Sequence, residues 1–116
     1  MSHFSTLRTK ITDAEILKSS LRDLGISVNA NADVRGYNGQ RVRAEIVATL
    51  EGDYDLGWSR NGDGSFDLIA DLWGVAKKHN QTELINSINQ KYAVTKTLSE
   101  VKRPGLSNAN VRLVVQ

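Results

Sequence analysis

Apolar residues recur at two different spacings along the first third of the chain, and the change of spacing marks the predicted elements. Residues 3–11 are predicted as a first strand, anchored by Phe4, Leu7 and Ile11. Thr12 and Glu15 then form a capping-box pattern, in which the Thr hydroxyl accepts an early helical N–H and Glu15 reaches back. The apolar positions that follow have helical spacing: Ile16, Leu17, Leu21 and Leu24. Gly25 is expected to end this helix in the left-handed conformation.

From residue 26 onward the apolar positions alternate with polar ones, which predicts half-buried strands. The strand predicted from residue 26 has its apolar residues on one face: Ile26, Val28, Ala30, Ala32 and Val34. The turn RGYNGQR follows, and the return strand places a second alternating set on the same side: Val42, Ala44, Ile46, Ala48 and Leu50. The predicted structure is a hairpin packed against the helix.

The stretch WSRNGDGSFDLIADLW predicts a second hairpin, because Asn-Gly and Asp-Gly tolerate positive φ at hairpin turns. A second helix is predicted from Asn80, with Glu83 as its capping partner and an apolar stripe of Leu84, Ile85, Ile88 and Tyr92. Residues 93–101 fit either a strand or a continuation of this helix, and their β-branched residues favour the strand. Arg103-Pro104-Gly105 interrupts the pattern, and residues 111–115 are predicted as a final strand.

The predicted order is β-α-β-β followed by β-β-α-β-β. This order predicts one α+β domain over residues 1–116, with two layers: a mainly antiparallel sheet and two helices packed on one of its faces. A chain of 116 residues is long enough to bury a core without disulfides or metals.

The side-chain parity of the second hairpin predicts a candidate partner face. With a turn of two or four residues, one face of the hairpin combines aromatic, acidic and arginine side chains: Tyr54, Trp58, Arg60, Asp67, Asp71 and Trp73. Such a composition is enriched where proteins bind partners. The alternative is structural, with Arg60 and Asp67 paired across the strands and the rings shielding the sheet. A bulged three-residue turn would shift this pairing.

Several kinds of chemistry do not fit the sequence. The absence of cysteine excludes disulfides, thiolate metal sites and cysteine nucleophiles. Aligned on a calcium-binding loop, residues 59–70 place Ser59 and Ala70 where the strongest carboxylate ligands belong. Asp67 and Asp71 are separated by roughly 13 Å along one strand, too far for a paired-acid mechanism. Neither His3 nor His79 has a neighbouring metal-ligand partner in sequence. We therefore expect no enzymatic activity, no cofactor and no metal.

Charge and hydropathy bear on partners and location. The net charge of +2 and pI near 9.0 are only mildly basic, so nucleic-acid binding is possible but not favoured. It would use Arg41, Arg43, Lys96, Lys102 and Arg103. No run of about 18 apolar residues predicts a membrane span. The sequence predicts a soluble, intracellular protein.

Three separated segments carry a resemblance to a known family: MSHFSTLRTKITD, RGYNGQ and LGWSRNGDGSFDLIADLWG. They resemble the hypothetical chloroplast open reading frame thirty-five family of cyanobacteria and algal plastids, over nearly the whole chain. The resemblance implies a soluble protein of the cyanobacterial cytoplasm or plastid stroma. It transfers no catalytic residues, because the family has no assigned mechanism.

Together these features predict a non-enzymatic interaction, assembly or regulatory factor that binds an unidentified protein partner. The alternatives are a nucleic-acid-binding module and a small-ligand binder whose site forms at an oligomer interface. The oligomeric state is left open by the sequence.

Overall fold

A computed structural model describes residues 3–101 of the chain. Its strands are β1 (Ser5–Arg8), β2 (Ser27–Arg35), β3 (Arg41–Thr49), β4 (Leu56–Arg60) and β5 (Phe66–Ala70). Its helices are α1 (Ala14–Asp23), α2 (Leu72–Val75) and α3 (Gln81–Val101), with a 3-10 turn at Tyr37–Gly39. The strands form one antiparallel sheet in the order β1-β5-β4-β3-β2. The predicted α+β class is confirmed.

The main core lies between α1, α3 and one face of the sheet. The helices contribute Leu17 and Leu21 from α1, and Ile88 and Tyr92 from α3. The strands contribute Ile46, Ala48, Leu56, Trp58, Phe66, Leu68 and Ala70. Fully burying one large aliphatic or aromatic side chain stabilises a fold by roughly 1.5–3 kcal/mol. The two long helices and the sheet therefore depend on one another through this shared core.

Helix α1 begins one residue later than the capping-box pattern predicts. Asp13 is the N-cap, and its Oδ1 accepts a hydrogen bond of 3.1 Å from the Ile16 N–H. The Thr12 and Asp13 N–H groups both donate to the Tyr92 hydroxyl, at 3.1 and 3.0 Å. The contact with α3 thus joins the start of α1 to Tyr92. The predicted stop is confirmed, since Gly25 has φ of 79°.

The strand predicted over residues 93–101 is wrong, because α3 continues through them to Val101. The start of α3 was predicted correctly: Asn80 Oδ1 accepts a hydrogen bond from the Glu83 N–H. Extending an existing helix by one residue does not repeat the costly nucleation step. The weak β preference of the β-branched residues is therefore overcome. The Lys96–Glu100 ion pair, 3.4 Å long, adds i,i+4 support. The strand predicted over 111–115 lies outside the described residues.

The return strand of the first hairpin does not keep its apolar set on one face. Ile46, Ala48 and Leu50 belong to the main core, whereas Ala44 joins Val34 and Val47 in a second cluster. The ladder of β2 with β3 is interrupted between the pairs Ala30↔Ile46 and Ala32↔Ala44. Asn31, at the interruption, has φ of 51°. Asn31 lies on β2, where Val28 packs against the main core and Val34 lies in the second cluster. Both strands therefore change face at this point, which simple periodicity does not anticipate.

The second hairpin also differs from its predicted register. Its connection spans residues 61–65, an odd number, so Trp58 pairs with Leu68 and Ser59 pairs with Asp67. The Asn61 N–H donates to the Ser65 carbonyl across the connection, at 2.7 Å. A shift of one residue moves every side chain of a strand to the other face. Phe66 and Leu68 lie in the main core, and their partners on β4 are Arg60 and Trp58.

Candidate partner-binding site

The six residues of the predicted partner face do not share a surface. Trp58 is 2% exposed and lies in the main core. Arg60 lies 4.4 Å from the centre of the Phe66 ring and donates to the Gly64 carbonyl at 2.8 Å. Asp67 accepts from Asn61 Nδ2 at 2.8 Å, so the predicted Arg60–Asp67 pair is not formed. The odd connection is the physical reason for all of these placements.

The other residues of that prediction meet at one end of the sheet. Trp73 is the second residue of α2 and is 54% exposed. The Lys77 Nζ lies 4.2 Å from the centre of the Trp73 ring and 5.8 Å from that of Tyr54. Such a cation over an exposed ring contributes roughly 0.5–1 kcal/mol. Two aromatic rings therefore hold one ammonium group at the surface.

Tyr54 is positioned by the absence of a side chain at Gly74. A Cβ added at Gly74 would overlap the Tyr54 ring, so glycine lets the ring lie directly on the backbone of α2. Tyr54 is half-buried, and it separates two clefts of about 350 and 170 Å³. The smaller cleft is lined by residues of the loop before Tyr54 and by residues of α2 and its C-terminal end, including Lys77.

Asp71 is the buried residue that organises this end of the sheet. Its side chain is inaccessible to solvent, and it caps α2 by accepting from the Gly74 N–H at 3.2 Å. Its second oxygen accepts from the Tyr37 N–H at 3.1 Å. One carboxylate thereby joins α2 to the RGYNGQ turn and holds Tyr37 and Trp73 on one scaffold. Tyr37 is 39% exposed.

We define the partner face as Tyr37, Tyr54, Trp73 and Lys77. Tyr37 and Lys77 were not among the predicted site residues. Tyr37 lies in the RGYNGQ segment, which was predicted as a turn and not as part of the site. Lys77 carried no local signal, because its position over Trp73 depends on the short helix that follows β5.

A second buried carboxylate supports the loop beside the partner face. Asp55 is 2% exposed, and Arg35 donates to it through Nε and a terminal nitrogen, each at 2.8 Å. Asp55 also accepts from the Arg35 and Leu50 N–H groups. The hydrogen bond to Asp55 raises the pKa of Arg35, and burial opposes this effect. Every contact is structural, so this carboxylate has the role of an anchor for residues 50–55.

The Asn-Gly-Asp-Gly connection uses its polar groups internally. Asp63 Oδ1 accepts from the Ser65 N–H and hydroxyl, at 2.9 and 2.7 Å, and Oδ2 accepts from Arg8. These hydrogen bonds, those from Ser65 first, lower the pKa of Asp63 to about 2. Gly64 has φ of 94°. Within residues 3–101, no group of three or more His, Cys, Asp or Glu side chains is placed to hold a metal ion.

Of the basic residues considered for nucleic-acid binding, the described ones lie on two elements, Arg41 and Arg43 on β3 and Lys96 on α3. Arg43 forms an exposed 3.4 Å pair with Asp33, whereas Lys96 pairs with Glu100 on α3. Arg41 lines the larger cleft beside Tyr54. The residues 102 and 103 lie outside the described part. In the part that the structure describes, no helix is both long and apolar enough to cross a membrane.

Known proteins resemble the chain along most of its length. A family model described as "Protein of unknown function (DUF1257)" matches residues 20–112. A protein named "Uncharacterized protein ycf35" from Guillardia theta is 35% identical over 112 residues, which cover 95% of this chain and 86% of the relative. Proteins of the same name from Pyropia yezoensis and Cyanophora paradoxa are 28% and 26% identical, each covering 100% of this chain and 97% of the relative. No solved structure matches the chain.

Proposed function

The chain belongs to the family described as Protein of unknown function (DUF1257), and we propose from its candidate site that it is a small non-enzymatic interaction protein. It acts as an assembly or regulatory factor and binds a protein partner through the partner face. The family resemblance predicted from the three sequence segments is confirmed by the ycf35 relatives. We place the protein in the cyanobacterial cytoplasm or the plastid stroma, as that resemblance implies.

The exposure of Trp73 is the observation that carries this proposal. A tryptophan with 54% of its surface exposed leaves a large apolar ring in water, where burial against a partner would stabilise the complex. Tryptophan and tyrosine are enriched among the residues that dominate binding energies. The Asp71 cap fixes the backbone of α2, and Lys77 lies over the Trp73 ring, so little conformational freedom is lost on binding.

The non-enzymatic part of the proposal rests on the buried carboxylates. Asp55 and Asp71 are the two buried acidic residues of the described chain. Both are occupied by hydrogen bonds from backbone N–H groups, and Asp55 is also bound by a guanidinium. A general acid or base must face its substrate, whereas these groups face the scaffold.

A capture experiment tests the partner face. The tagged full chain and its Trp73→Ala and Lys77→Glu variants are used to capture partners from native lysate, with quantitative mass spectrometry. We expect a partner captured by the wild type to be reduced at least tenfold by Trp73→Ala, in line with the loss of a binding hot spot. The matched control is Leu98→Ala, which removes an exposed side chain from α3 (Leu98 is 42% exposed).

Equal capture by the wild type and the Trp73→Ala variant would show that the partner face is not the binding site. Circular dichroism and thermal unfolding establish that each variant is folded before capture is compared. The variant Trp58→Ala is unsuitable for this purpose, because Trp58 lies in the core and its loss acts on stability.

A further inference from the structure

A second surface feature, separate from the partner face, is an apolar groove between β1 and α3. Its volume is about 970 Å³, at the upper end of the range for small-molecule sites. The apolar side chains that line it come from the first strand region, from β5 and from α3: Leu7, Ile11, Leu68, Ile85, Tyr92 and Ala93. Leu7 is 42% exposed. The groove thus presents apolar surface that a ligand would cover.

The floor of the groove is rigid. Ile11, Leu68 and Tyr92 are 3%, 3% and 6% exposed and belong to the main core. The Tyr92 hydroxyl accepts hydrogen bonds from the N–H groups of Thr12 and Asp13. A floor fixed in this way is preformed, and a preformed apolar site binds without the cost of ordering its own side chains.

The rim of the groove is basic. Arg8, Lys10 and Lys96 line it, against the single acidic residue Glu100. Glu100 pairs with Lys96 at 3.4 Å, and Arg8 reaches Asp63 outside the groove at 3.2 Å. Exposed pairs of this kind contribute little and exchange partners readily. Three cations and one acid around an apolar floor are complementary to a ligand with an anionic head and an apolar body.

From this combination we propose that the groove binds a single-chain anionic amphiphile of the fatty-acid class. Its acyl chain covers Leu7 and the core residues beneath, and its carboxylate lies among Lys10, Lys96 and Arg8. An acyl chain has no amide groups to satisfy, so it suits an apolar floor. Charge disfavours the chain itself as occupant: residues 102–116 contain three cations and no acidic residue, and the whole chain has a net charge of +2.

Fluorescence titration of the full chain with 11-(dansylamino)undecanoic acid tests the proposal. We expect saturable binding, displaced by dodecanoate and displaced at least tenfold less well by dodecan-1-ol, which lacks the charge. Affinity is expected to rise up to about fifteenfold for each two methylene groups added to the competing acid. No saturable binding, or equal displacement by the acid and the alcohol, would overturn the proposal.

Two pairs of variants locate the bound probe. Leu7→Asp is expected to weaken binding at least tenfold, whereas Leu24→Asp, at a position with similar exposure of 39%, leaves it unchanged. The double variant Lys10→Glu/Lys96→Glu is expected to weaken binding at least tenfold. If the groove variants bind the probe as the wild type does, the site is elsewhere and the proposal fails.

The competing occupants give different results in the same assay. If Leu113→Asp in the full chain raises probe affinity tenfold, residues 102–116 compete for the groove and a segment of the chain is its occupant. If sedimentation shows a dimer that the probe dissociates, the occupant is a second copy. Either result overturns the proposal, while unchanged affinity and an unchanged oligomeric state support it.

Discussion

The two tryptophans, Trp58 and Trp73, lie at the two ends of one stretch and have opposite environments. Trp58 is 2% exposed in the centre of the core, and Trp73 is 54% exposed on a four-residue helix. The two side chains are identical, and the alternation of residues along the predicted hairpin placed both on one face. The difference comes from the odd-numbered connection at 61–65 and from the end of β5 at Ala70. A residue's role in this domain therefore depends on register, and register depends on a turn.

The largest expected effect separates the two tryptophans directly. Trp58→Ala should reduce the free energy of unfolding by about 3–5 kcal/mol, because it leaves a large cavity in the core. Trp73→Ala should change it by less than about 1 kcal/mol, since it removes an exposed ring and one cation–π contact. Urea unfolding followed by circular dichroism measures both. Equal losses of stability in the two variants would contradict the assigned register.

Asp71→Ala should give the next largest effect. It leaves the Tyr37 and Gly74 N–H groups without their buried acceptor, at an expected cost of about 2–4 kcal/mol in unfolding free energy. Partner capture should also fall, because the partner face loses its common anchor. Asp53→Ala, an exposed change in the same region, serves as the control. Stability unchanged by Asp71→Ala would show that the carboxylate does not hold the site.

Gly74→Ala tests whether the packing of Tyr54 on α2 is required. The added methyl group overlaps the Tyr54 ring, so we expect a loss of about 1–3 kcal/mol from overpacking. Gly62→Ala adds the same methyl group where nothing lies within 4 Å and φ is not in the left-handed region. That control should be close to neutral. Unfolding curves showing both variants equally stable would contradict the observed position of Tyr54.

The smallest effect concerns the connection that separates the tryptophans. The folded-state pKa of Asp63 is lowered from 3.8 to about 2, so its contribution to stability is present above about pH 4. That contribution is lost as the pH falls towards 2, because protonation weakens the hydrogen bonds from Ser65 and Arg8. Carboxyl-carbon NMR titration measures the pKa. In Ser65→Ala, which keeps the backbone N–H, the pKa of Asp63 should rise part of the way towards its ordinary value. An unchanged pKa would show that the Ser65 hydroxyl is not the main cause.

The family of the chain and its α+β class were predicted from sequence, and so were α1 and the start of α3. The family was predicted from the resemblance of three sequence segments, whereas the helices were predicted from local signals: apolar spacing, Asn80 as a cap and Gly25 as a stop. The prediction of a strand over 93–101 was wrong because weak β propensity cannot oppose the continuation of an existing helix. The Thr12 cap was wrong because Asp13, the next residue, accepts the capping hydrogen bond.

The partner face shows the same division. Tyr54, Asp71 and Trp73 were among the predicted candidates, because aromatic and acidic residues stood out in the sequence, and all three lie at this end of the sheet. Trp58, Arg60 and Asp67 were included only through an assumed even turn. Tyr37 was not included, because its link to α2 is a hydrogen bond to Asp71 across 34 residues.

Local order in this protein is readable from its residues because helix caps, turns and periodicity act over a few positions. The face of the sheet on which each side chain lies cannot be read in the same way. Side chains change face at the left-handed residue Asn31 and across the odd-numbered connection at 61–65. Which face of the sheet is buried is fixed only when α1 and α3 pack against it. Tertiary packing therefore decided that Trp58 is core and that Trp73 is surface.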